Sequence, residues 1–119
     1  MDWNYIQQFH KNPPNIQLMR HPLVQKQAVS WMKHKHNIDS LEKELMLDKT
    51  SWVITPNKYP YYFTDNTKHL VFWSKNPINY NELEKIIKEN TDFTNYIFFE
   101  NKKNNKSSPH IHHAHIFII

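Results

Sequence analysis

Glycine is absent from this 119-residue chain, and so is cysteine. Without glycine there is no side-chain-free loop of positive φ to cradle phosphates, which excludes a P-loop and a GxGxxG dinucleotide site. Left-handed turns must then fall to other residues, and the abundant asparagines are the natural substitutes. The lack of cysteine removes both a disulfide framework and thiolate chemistry, so any metal site has to use His, Asp or Glu. No apolar run reaches the roughly 18 residues of a membrane span. The N-terminus shows no basic stretch followed by a hydrophobic segment, so no signal peptide is expected and a cytoplasmic setting is the default.

What is present suits one folded domain. Hydrophobic residues make up 39% and aromatics 14%, so a single core over 1–119 is expected, built from rings as much as from aliphatic chains. The formal charge of +4 favours a phosphate-bearing partner, a small molecule or RNA. Part of the lysine excess, alongside abundant Asn and Ile, also fits an A+T-rich coding sequence. No membrane partner is indicated, and a homodimer is left open.

Residues 1–49 read as helical. Trp3, Ile6 and Phe9 fall three apart before Pro13-Pro14 interrupts, which predicts a short amphipathic helix. A second helix is expected after Arg20-His21, with Pro22 in its first turn and Val24, Ala28, Trp31 and Met32 as one buried face. The basic run from Lys33 to His36 should close it, where cations oppose the negative end of the helix dipole. Asp39 with Glu42 has capping-box spacing, predicting a third helix through Leu45 or Leu47.

From residue 50 the pattern turns to strands. They are expected near 51–55, 68–74, 95–100 and 111–118, with one helix inserted after Asn79 or Asn81 and striped by Leu83, Ile86 and Ile87. The fold class is therefore α+β: N-terminal helices, then an antiparallel sheet with one inserted helix.

The chemistry gathers at the end. Four of the nine histidines lie in the last ten residues, and from Ala114 the run Ala-His-Ile-Phe-Ile-Ile is that of a buried strand rather than a tail. Side chains alternate across a strand, so His113, His115 and Phe117 share one face while His112, Ala114 and Ile116 share the other. His69, Val71 and Trp73 likewise share a face of the second strand. Two imidazoles on one face suit proton transfer or nucleophilic attack on phosphorus, with Ser108, Asn101, Lys102 and Lys103 supplying donors from the preceding loop. Satisfied structural histidines weigh equally. No cofactor is expected; zinc on His69, His113 and His115 is the minor alternative, with no carboxylate ligand nearby. A non-catalytic reading is also open. In it Tyr59, Tyr61, Tyr62, Phe63 and Trp73 stack bases, although Trp73 suits the core better, while Lys58, Lys68, Lys102, Lys103 and Lys106 meet phosphates of a nucleotide or RNA.

Two resemblances bear on these residues. The segments Ile54 to Tyr61, Lys68 to Lys75 and Ile97 to Asn101, with Ser107-Ser108 and His113-Ala-His115, resemble the domain of unknown function of fungal N-acetylglucosamine-induced proteins. Leu18 to Pro22 and Trp31 extend that likeness into the helical part. It implies a shared fold and no particular activity. The order Asn57, Pro60, His69, Asn101, Ser108, His113, His115 is similar to that of the histidine-triad (HIT) superfamily of nucleotide hydrolases and transferases, although Ile111 stands at the first triad position. Tyr59-Pro60 is similar to a stretch of its galactose-1-phosphate uridylyltransferase branch. This second resemblance implies a HIT-like fold and His113 as a nucleophile on an α-phosphorus. His115 and Ser108 would assist it, His69 would open a site strand, and Asn57, Asn101 and Tyr59 would contact substrate.

Overall fold

The computed structural model describes residues 1–47, 49–90, 95–101 and 111–119. Helix α1 (Trp3–Ile6) is capped by Asp2, whose carboxylate accepts the Tyr5 N–H, and it passes into a 3-10 turn at Gln7–Phe9. The chain then reverses at Lys11, where φ is 60°. Among the described residues the left-handed positions are Lys11 and Met46, not asparagines as the composition suggested. At Lys11 the strain is offset by a gain: its N–H donates to Phe98 O at 2.7 Å, and His10 Nδ1 accepts from Phe98 N–H at 3.1 Å. The turn thereby covers a sheet edge that would otherwise offer unpaired backbone groups.

Helix α2 (Pro22–Met32) begins as expected, with Pro22 in its first turn and His21 Nδ1 accepting the Leu23 N–H. Its predicted buried stripe is only partly buried. Ala28 is enclosed, Val24 and Trp31 are half-buried, and Met32 is exposed, because this face overlooks a cavity rather than a packed layer. Helix α3 (Lys35–Glu44) starts earlier than the Asp39 cap predicted, so Asp39 lies inside it and the basic run is divided between the end of α2 and the start of α3. Tertiary packing outweighs the local cap signal here, since Leu41 and Leu47 seat on Ile111 with Trp31, Val53 and Trp73 around them.

Four strands, β1 (Trp52–Pro56), β2 (Lys68–Ser74), β3 (Tyr96–Phe99) and β4 (His112–Ile118), form an antiparallel sheet in the order β1-β2-β4-β3. The C-terminal strand is thus central, which explains its near-continuous apolar character. Helix α4 (Tyr80–Asn90) covers one face, where Leu83 and Ile87 pack on Phe72, Phe98, Ala114, Ile116 and Ile118. The other face carries the N-terminal elements in two apolar clusters. Ile6, Leu18, Tyr61, Ile97, Phe99 and Phe117 form one, and the Leu41–Leu47–Ile111 group forms the other. The fold is α+β, as expected.

The two candidate caps of α4 are distinguished by geometry. Asn79 Oδ1 accepts the Glu82 N–H at 3.1 Å, and its carbonyl accepts from Leu83. Asn79→Ala is expected to lower stability by about 1 kcal/mol in urea denaturation, whereas Asn81→Ala should change it by no more than a few tenths. Equal costs would place the cap elsewhere.

Candidate functional site

The pairing of β2 with β4 brings the predicted residues onto one face. His69 stands opposite Phe117, Val71 opposite His115, and Trp73 opposite His113. His69, His115 and His113 are 5%, 4% and 7% exposed, so this polar row lies buried between the two apolar clusters of that face. Rings clamp it. His69 stacks on Phe117 at 4.5 Å and lies 4.6 Å from the Tyr61 ring, while His113 rests against Trp73 at 5.3 Å.

Hydrogen bonding fixes the protons of the buried pair. The Tyr61 backbone N–H donates to His69 Nδ1 at 3.1 Å. A backbone N–H can only donate, so Nδ1 is an acceptor and the neutral ring carries its proton on Nε2. That proton faces His115 Nδ1 at 2.7 Å, which puts the His115 proton on its own Nε2. The His115 Nε2 in turn faces the Asn101 amide at 3.0 Å, and the proton count requires the Asn101 oxygen there, an amide flip. Both rings are neutral. Burial holds each well below the ordinary histidine value. A positive charge on the neighbouring imidazole, His115 for His69 and His113 for His115, would push in the same direction, as the charge of Arg20 does. Zinc binding would require the two facing nitrogens to part.

A pocket of about 320 Å³ opens beside this row. Its walls come from α2, α3, the end of β1 and the loop after it, with Trp31, Trp73 and Tyr59 as ring faces and His113 and His115 at its sheet side. Arg20 enters it from the segment before α2. The guanidinium lies 5.0 Å over the Tyr61 ring, Nε donates to Tyr59 O at 2.7 Å, and Nη1 donates to Gln25 Oε1 at 3.1 Å. Burial lowers its pKa from the ordinary arginine value, an effect partly opposed by Tyr61, yet an arginine this basic stays charged. Among the described residues no carboxylate pairs with it. Glu44 and Lys58 also line the pocket, so with Arg20 the balance of full charges is positive.

Of the residues expected to form a site, His69, His115 and Asn101 are joined side chain to side chain, Asn57 is tied to His69 through its backbone N–H on the His69 carbonyl, and Tyr59 and His113 line the pocket. Ser108, Lys102 and Lys103 lie outside the described residues. The sequence reading missed Arg20 as a site residue and placed Trp31 only in the core. A signal existed for Arg20: it is the single arginine of a chain whose other strong bases are all lysine. A position that keeps arginine against such a bias is one where a planar, stacking, hydrogen-bonding cation matters.

A family model described as "Protein of unknown function (DUF3605)" matches residues 2–93. No curated protein matches the chain. Among solved structures, the crystal structure of HTC1 is similar at 17% identity, with a TM-score of 0.76, over 99% of this chain and 84% of that one. At that identity the likeness is one of fold. The histidine-triad likeness rests on the ordered residues alone.

Proposed function

We propose that this chain, which belongs to the DUF3605 family of proteins of unknown function, binds a small phosphate-bearing ligand, a nucleotide or a phosphorylated sugar, in the pocket between α2, α3 and the sheet. The observation that carries this reading is Arg20, a half-buried cation with no carboxylate partner among the described residues, held over Tyr61 at the pocket wall. A charge withdrawn from water calls for a compensating one, and a ligand phosphate provides it. Trp31, Trp73 and Tyr59 offer faces for a base or a sugar. The volume lies at the lower end of the range of about 300–1,000 Å³ typical of small-ligand sites, which suits a mononucleotide better than a strand of RNA.

Calorimetry with nucleoside monophosphates and sugar phosphates tests this. Saturable binding is expected, and Arg20→Gln should weaken it by roughly 10- to 100-fold, the loss of a charged hydrogen bond worth about 1.5–3 kcal/mol. No saturable binding at millimolar ligand would sink the proposal.

A catalytic form of the same reading is favoured by one further observation: His113 lines the pocket that Arg20 enters. In that form an imidazole nitrogen of His113 attacks phosphorus, the leaving oxygen departs with the bonding pair and takes up a proton, and water then cleaves the phosphorus–nitrogen bond. Arg20 offsets the charge that builds on the phosphoryl oxygens.

A further inference from the structure

We infer that Asn57 is the second hydrogen-bond donor of the anion site and that the His69–His115 pair acts by positioning it; the inference rests on the pocket taking an anion as proposed above.

The loop from Asn57 to Tyr61 is threaded onto His69. Asn57 N–H donates to the His69 carbonyl at 2.9 Å, and Tyr61 N–H donates to the His69 ring. The same loop grips Arg20 through the Tyr59 carbonyl. The orientation of the Asn57 amide is set inside the loop, because its Oδ1 accepts the Tyr59 N–H at 2.7 Å and a flip would lose that bond. Its Nδ2 therefore faces His69 Nε2, at 3.1 Å. That nitrogen already carries a proton, spent on His115 at the shorter distance of 2.7 Å. The ring consequently offers Asn57 Nδ2 no acceptor. Asn57 lines the pocket with Arg20, and an oxygen of an anionic ligand is the acceptor its N–H group lacks on His69.

The tautomer decides the outcome. With its proton on Nδ1, His69 would lose the Tyr61 bond, and its bare Nε2 would absorb the Asn57 donor. The backbone N–H of Tyr61 forbids that arrangement. His69 and His115 are thus positioning residues here: they stand behind the loop and determine what it presents.

The test uses Asn57→Asp with adenosine 5′-monophosphate and adenosine as probes. The aspartate keeps the acceptor for Tyr59 and replaces the N–H donor with an oxygen that can share the His69 Nε2–H with His115 Nδ1 in a three-centre bond. The melting temperature should not fall. Affinity for adenosine 5′-monophosphate should drop roughly tenfold or more, while that for adenosine stays unchanged. Long-range proton–nitrogen correlation spectra of the wild-type imidazoles should show Nε2–H tautomers for both His69 and His115, and in the variant the His69 Nε2 proton should move downfield on meeting a carboxylate. An Nδ1–H tautomer at His69 overturns the inference. So does monophosphate binding equal to wild type in the variant, or an equal loss for adenosine, which would mean that the loop itself had moved. Failure of the wild type to bind the monophosphate, with the tautomers as expected, brings down the pocket reading and with it the ligand role of Asn57.

Discussion

Acidification from pH 7.5 to 5.5 is expected to lower the folding stability of this domain by on the order of a few kcal/mol, from two histidines alone. His69 and His115 are neutral in the folded state, held well below the ordinary value by burial first and by neighbouring positive charge second. In the unfolded chain each returns to about 6.5. Above that pH neither state binds the proton, and the full stability is present. As pH falls below it, the unfolded chain takes up a proton on each ring while the folded one takes up none. Each ring then removes about 1.36 kcal/mol per pH unit, until its folded pKa is reached. Protonation has no accommodating geometry in the fold, because a second proton on His69 would confront the Tyr61 N–H and one on His115 would confront His69 Nε2–H. His10, lowered mainly by burial, adds in the same direction. The exposed Asp65 and the half-buried Glu84 are lowered chiefly by their hydrogen bonds and lose their contribution only at more acidic pH. Urea denaturation at the two pH values reads the difference, which is a large share of the roughly 5–15 kcal/mol by which domains are stable. Equal midpoints would mean that the pair is charged or hydrated in the fold.

Much of the sheet was legible because strands announce themselves through period-two patterning. On β2 and β4 that period places His69, His113 and His115 on shared faces, as the register shows. The sequence could not say that β4 inserts between β2 and β3, since that order is a choice among pairings remote in the chain. Only that insertion brings His69 within 2.7 Å of His115. Helix α3 shows the converse, with a local signal at Asp39 overruled by the seating of Leu41 and Leu47 on Ile111. Arg20 stands out in the sequence as the single arginine, but its setting was illegible for a related reason. Its setting is made by Tyr59 and Tyr61, about forty residues further on, and its own neighbours in sequence mark only a helix start. The left-handed position at Lys11 follows from the β3 edge it covers, which no local turn preference encodes.

The largest effect on turnover is expected at His113, in the catalytic form of the proposed function. His69 and His115 spend their facing nitrogens on each other, and their remaining nitrogens are met by Tyr61 and Asn101, so neither ring has a lone pair to bring to phosphorus. His113 sits on the same face, edge-on to His115 at 5.6 Å and against Trp73, at the wall of the pocket that Arg20 enters. Loss of a nucleophile lowers turnover by on the order of 10³-fold or more, whereas most substitutions cost about 0.5–3 kcal/mol in stability. His113→Ala should therefore remain folded, retain measurable ligand affinity through Arg20, and lose both turnover of phosphate esters and any acid-labile covalent adduct. His112→Ala is the matched control, because His112 pairs with Ser74 on the opposite side of the same strand and should leave turnover intact. Equal turnover in the two variants would reject His113 as the nucleophile. Saturable binding without turnover in the wild type would reject catalysis altogether, and would leave Arg20, Asn57 and the aromatic walls as the parts of a binding module.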